Sequence, residues 1–65
     1  MKRQWLADLR AKQGKTQQEL ANEVGASQSG YANIEAGLRT PSVEIAKRIA
    51  TVLGFDWTRF FEDTA

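Results

Sequence analysis

Gly14, Gly25, Gly37 and Gly54 cut this chain into short segments, and each closes a run whose apolar residues recur at helical spacing. Glycine takes the left-handed conformation that ends a helix without the steric cost other residues carry. Strand signals are nearly absent, with no period-two alternation of β-branched residues. The spacing therefore predicts a compact five-helix, all-α domain spanning residues 1–65. Residues 2–13 place Trp5, Leu6 and Leu9 on one side before Gly14. "TQQE" at 16–19 is a capping box, in which Thr16 caps the amide of Glu19 while Glu19 reaches back. Leu20, Ala21 and Val24 follow, and Gly25 ends the segment. Ser27 caps a third helix through about Ala36, closed by Gly37. In "TPSVE", Thr40 serves as cap and Pro41 as first helical residue of a fourth helix running to about Leu53. Asp56 caps a short fifth helix carrying Trp57, Phe60 and Phe61.

With 65 residues the chain lies near the lower limit for a core that folds without help. It has no cysteine and no histidine, which removes disulfides, thiolate metal sites, the commonest general base and the commonest metal ligand. No apolar run approaches the roughly 18 residues that span a bilayer, and no signal-peptide core is present. A cytoplasmic location, no cofactor, no metal and no small-molecule ligand are the expectations. Net charge is +1, but residues 1–55 carry +3 while the last ten, with Asp56, Glu62 and Asp63 against Arg59, carry −2. One end is thus suited to facing a polyanion. Lys2, Arg3, Lys12, Lys15, Lys47 and Arg48 read as solvated side chains rather than specific contacts.

The stretch "SQSGYANIE" at 27–35 is odd for a core helix, because half of it is small and polar. A helix capped at Thr16, a glycine turn and a helix capped at Ser27 form a helix-turn-helix. Ala21 is small where the two helices would cross, and Val24, Tyr31 and Ile34 supply the inner faces. Gln28, Ser29, Ala32 and Asn33 are left outside. A helix entering a major groove about 12 Å wide needs leading side chains that are small or able to bond base edges. Gln and Asn can bind adenine through two hydrogen bonds, and Ser can serve several bases. Gly30 is explained if something must come close to the helix. A plain solvated surface is the competing reading of the same residues.

The stretch "TQQELANEVGASQSGYANIEAGLRTPSVEIAKRIATVLG", residues 16–54, resembles the phage-repressor and Cro-like helix-turn-helix regulators of the XRE family. With "LADLRAKQGK" before it and "FDWTRFFE" after it, the resemblance covers nearly the whole chain. It implies a lambda-repressor-like fold and a DNA-binding function. By that resemblance Gln17 contacts a phosphate and braces Gln28, eleven residues on. Gln28 and Ser29 begin the base-reading helix, and Asn33 takes another outward contact position. Arg10 and Glu35 match an internal ion pair tying helix one to helix three. Arg39 follows the loop where a basic side chain commonly meets phosphate. The DNA-facing set is then Gln17, Ser27, Gln28, Ser29, Tyr31, Asn33 and Arg39. Tyr31 stands where an aliphatic residue is usual, so its hydroxyl must find a partner or emerge beside the DNA backbone. Asn33 stands where Lys or Arg is frequent, and Ala26 where valine is common.

The expected function is a sequence-specific DNA-binding transcriptional regulator, a repressor, with a double-stranded operator as partner. The alternative is a protein-interaction module, such as an antitoxin-like or adapter domain. An enzyme is not expected, since Glu19 is explained by its cap and Glu35 by its arginine. Phe60 is expected to close the core against helices one and four. Trp57, Phe61, Ile45 and Val52 are candidates for a homodimer contact, at least on DNA; alternatively Trp57 covers Trp5. The chain ends just after this fold, as a complete Cro-like regulator or the N-terminal piece of a longer repressor would.

Overall fold

A computed structural model describes residues 2–62, so Asp63 of the acidic tail lies outside the described residues. The five helices are α1 (Gln4–Lys12), α2 (Gln17–Val24), α3 (Gln28–Glu35), α4 (Val43–Leu53) and α5 (Arg59–Glu62). Among the described residues there is no strand. None of these helices is long and apolar enough to cross a membrane.

Each boundary follows from local chemistry. At α2 the capping box is complete: Thr16 Oγ1 accepts from the Glu19 amide at 3.0 Å, and Glu19 accepts from the Thr16 amide at 2.8 Å. At α3 the Ser27 hydroxyl accepts from the Gly30 amide at 3.0 Å. The four expected stop glycines all have positive φ. The start of α4 departs from expectation. Ser42, not Thr40, is the cap, its hydroxyl accepting from the Ile45 amide at 3.2 Å. Pro41 stays outside the helix and is buried, and α4 begins two residues later than the proline rule suggests. Asp56 likewise forms a side-chain turn, accepting from the Thr58 amide at 3.0 Å and its hydroxyl at 2.8 Å. Helix α5 begins only after it, leaving Trp57 in the turn.

The core is made of Leu6, Leu20, Ala21, Val24, Tyr31, Ile34, Ala46, Ile49, Leu53 and Phe60. Phe60 is fully buried and meets Trp5 of α1 at 5.4 Å and Phe55, just after α4, at 5.5 Å between ring centroids. Trp5 meets Phe55 edge-on at 5.1 Å. Such aromatic pairs contribute roughly 0.5–1.5 kcal/mol beyond their buried area. Trp57 does not cover Trp5: its neighbour is Phe61, at 5.9 Å. The Trp5 face is taken by the Arg59 guanidinium, 4.2 Å from the ring centroid.

Arg3 corrects another expectation, because it is buried rather than solvated. Its Nη1 donates to the Ile34 carbonyl at 2.6 Å and to the Arg39 carbonyl at 3.0 Å. The Arg3 amide donates to the Glu35 carbonyl at 2.8 Å. One residue thereby satisfies carbonyls at the C-terminal end of α3, where a cation also opposes the helix dipole.

Candidate nucleic-acid interface

Helices α2 and α3 are joined by a turn that depends on Gly25, at φ 76°. The Gly25 and Ala26 amides donate back to the Asn22 and Ala21 carbonyls at 3.4 and 2.9 Å, so the turn closes α2 as it redirects the chain. A Cβ at Gly25 would lie 3.1 Å from Arg48 Nη1, which itself donates to the Val24 carbonyl at 3.3 Å. Arg48 of α4 thus clamps the turn, a role its sequence position did not signal. Ala21 is fully buried, which lets the two helices approach.

That approach turns one face of α3 inward and one outward. Tyr31, Ile34 and Glu35 are buried, whereas Ser27, Gln28, Ser29 and Asn33 are exposed and Ala32 is half-buried. The exposed face carries amide and hydroxyl groups and no charge. Tyr31 is not part of it: the side chain is fully buried, and its hydroxyl lies beside the Glu35 carboxylate and the Arg10 guanidinium, without a well-formed hydrogen bond. Burial first, and the neighbouring carboxylate second, push its phenol well above the usual range. A Cβ at Gly30 would meet the Ser27 hydroxyl at 2.8 Å, the end of a side chain that can rotate away.

Arg39 is exposed in the loop between α3 and α4. It lines a groove of about 530 Å³ together with Gly25, Ser27, Gly30, Thr40 and Ser42. Other cations are engaged elsewhere: Lys15 pairs with Glu23 at 2.8 Å, Arg48 with Glu44, and Lys47 lies 5.1 Å over Trp57. Among the described residues, Lys2, Lys12 and Arg39 have no acidic or aromatic partner.

Behind the exposed face lies a polar cluster. Arg10 Nε donates to Glu35 Oε2 at 2.6 Å, its Nη2 to Oε1 at 3.3 Å and its Nη1 to the Lys15 carbonyl at 2.7 Å. The two side chains are 18% and 4% exposed, so the carboxylate is buried and the guanidinium partly so. Gln17, at the start of α2, departs from the expected arrangement. Its Nε2 donates to Glu35 Oε1 at 3.1 Å, and among the described residues no hydrogen bond joins it to Gln28. The reason is that Glu35, buried beneath it, has an oxygen that Arg10 holds only loosely. Burial alone would raise the Glu35 carboxyl, but the bonds from Arg10 and Gln17, with the Tyr31 hydroxyl close by, outweigh it and hold the group below its ordinary range. Arg10 is raised in return, chiefly by its bond to Glu35.

The residues proposed for pairing with a second copy lie on α4 (Ile45 and Val52), in the turn before α5 (Trp57) and on α5 (Phe61). Trp57 and Phe61 are together, half-buried and exposed respectively. Ile45 lines the groove beside Arg39, while Val52 lines a different depression with Glu23 and Lys47. Two apolar residues outside that set are more exposed, Leu38 at 79% and Val43 at 49%. Leu38 follows Gly37 and so falls outside the helical periodicity that would draw notice to it.

The pattern of the family described as "Helix-turn-helix" matches residues 6–60. A protein of Bacillus subtilis (strain 168) described as an uncharacterized HTH-type transcriptional regulator, YqaF, is 48% identical over 63 residues. The match covers 97% of this chain and 83% of that protein.

Proposed function

This chain belongs to the XRE family of helix-turn-helix proteins, and from that membership we propose that it is a sequence-specific, double-stranded DNA-binding transcriptional regulator acting as a repressor. The observation that carries the reading is the split of α3 into a buried apolar face and an exposed face of Gln28, Ser29 and Asn33. That face enters the major groove, with Gln28 and Asn33 reading base edges and Ser29 supplying a smaller contact. Gln17, Ser27 and Arg39 meet phosphates on either side and set the register without reading sequence. Tyr31 contributes only by holding α3 in place.

The domain, taken as residues 1–65, measures 29 Å along its longest axis over the described part. Half-sites one DNA turn apart are about 34 Å apart, so reading two of them takes two copies. We assign their contact to Trp57 and Phe61, with Ile45 and Val52 as further candidates, and place the protein in the cytoplasm. No cofactor enters this reading.

Selection from randomised duplex DNA, at two salt concentrations, tests it. Enrichment of a palindrome with half-sites one turn apart, bound more weakly at high salt, is the expected outcome. Binding without enrichment would refute sequence-specific readout. No binding at low salt would overturn the DNA reading and favour a protein partner covering the α3 face.

A further inference from the structure

Gln17 stands between the buried ion pair and the surface, and the chemistry of its amide restricts what it can present. An ionised carboxylate accepts hydrogen bonds and donates none, so the end of Gln17 turned to Glu35 is its nitrogen. That nitrogen carries two hydrogens, and Glu35 Oε1 takes one of them at 3.1 Å. Among the described residues the second has no protein acceptor. Gln17 is only half-buried, as the first residue of α2.

We infer that the Arg10–Glu35 pair is a positioning device for DNA binding, holding the Gln17 amide so that its second N–H is offered to a phosphate oxygen. The inference rests on the DNA-binding reading above. A phosphate oxygen only accepts, so an amide turned the other way would oppose it with a lone pair. Unattached, the amide can turn either way; attached to Glu35 it cannot. Arg10 is the necessary third member. A planar amide bridging two acceptors sets them about 5 Å apart, and the guanidinium charge offsets the repulsion between carboxylate and phosphate. Arg10 and Glu35 touch no DNA in this arrangement and act through Gln17.

A double-mutant cycle on a selected duplex tests the inference, using the full chain and thermal unfolding to verify folding. The proteins are wild type, Gln17→Ala, the paired replacement Arg10→Met with Glu35→Leu, and the combination of all three. Losing one hydrogen bond to a charged group predicts about tenfold weaker binding per half-site for Gln17→Ala. The paired replacement should lose about as much, and the combination no more than either. Additive losses would show that the pair acts independently of Gln17 and overturn the inference, as would undiminished binding by Gln17→Ala. A wild-type chain that binds no duplex would instead overturn the DNA reading itself. If the paired replacement does not fold, the side-chain amide protons of Gln17 in the wild-type complex decide. Two resolved protons protected from exchange support the device, and rapid exchange of both overturns it.

Discussion

Arg10→Ala is the substitution whose effect the structure specifies most closely. It removes two hydrogen bonds to Glu35 and the one to the Lys15 carbonyl, leaving a carboxylate that is 4% exposed with Gln17 as its remaining well-formed donor. Stranding one member of a buried pair costs about 3–5 kcal/mol. A chain of this length has about 3–10 kcal/mol of total stability, so the variant should be marginal or unfolded near neutral pH. Replacing both members by Met and Leu should cost far less, because no charge is left behind. The pH dependence is a second signature. In wild type the Glu35 carboxyl is held below its ordinary range, so its contribution is present above pH about 4 and lost as pH falls through the folded value. In Arg10→Ala burial dominates and raises the group, so that variant is helped by protonation as pH falls. The gap between the two proteins should be widest at neutral pH and close in acid. Urea unfolding followed by helical circular dichroism, at neutral pH and at pH about 4, measures it. A loss below about 1 kcal/mol, typical of exposed pairs, or a gap that does not narrow in acid, would refute the buried-pair argument.

Other outcomes follow from single contacts. Thr16→Ala breaks the capping box and should cost about 1 kcal/mol, read as a lower thermal midpoint. Gly25→Ala forces a side chain into a left-handed position beside Arg48, so it should destabilise by at least about 1–2 kcal/mol; a neutral effect would mean the turn has rearranged. Tyr31→Phe removes a buried hydroxyl that lacks a well-formed partner, and should change stability by less than about 1 kcal/mol while leaving DNA affinity unchanged. Gln28→Ala should relax base preference in a repeated duplex selection, whereas Arg39→Ala should weaken all sequences alike and reduce the salt slope by about one. Uniform loss in both variants would overturn that division of roles.

The exposed face of α3 was legible because it is a matter of periodicity. Once Tyr31 and Ile34 turn inward, Ser29 and Asn33 turn outward, whereas Gln28, three residues before Tyr31, is exposed by its place at the start of the helix. The same periodicity should have assigned Tyr31 wholly to the core; its hydroxyl suggested a surface role that the depth of the site excludes. In "TPSVE" two residues could cap a helix, and only the burial of Pro41 selects Ser42.

What the chain alone determined is local: the caps at Thr16 and Ser27, the glycine stops and the division of helix faces. These depend on groups three or four residues apart, whose separation in a helix is fixed by backbone geometry. The packed structure decided the contacts between residues distant in sequence. Arg3 reaches the Ile34 carbonyl across 31 positions, Arg48 the Val24 carbonyl across 24, and Gln17 reaches Glu35 across 18. Each depends on helix crossing angles and on which buried acceptor lies within about 3 Å, and neither quantity is encoded in a residue's immediate neighbours. An exposed cation and a buried one look alike in sequence. They differ only in what the fold brings to them.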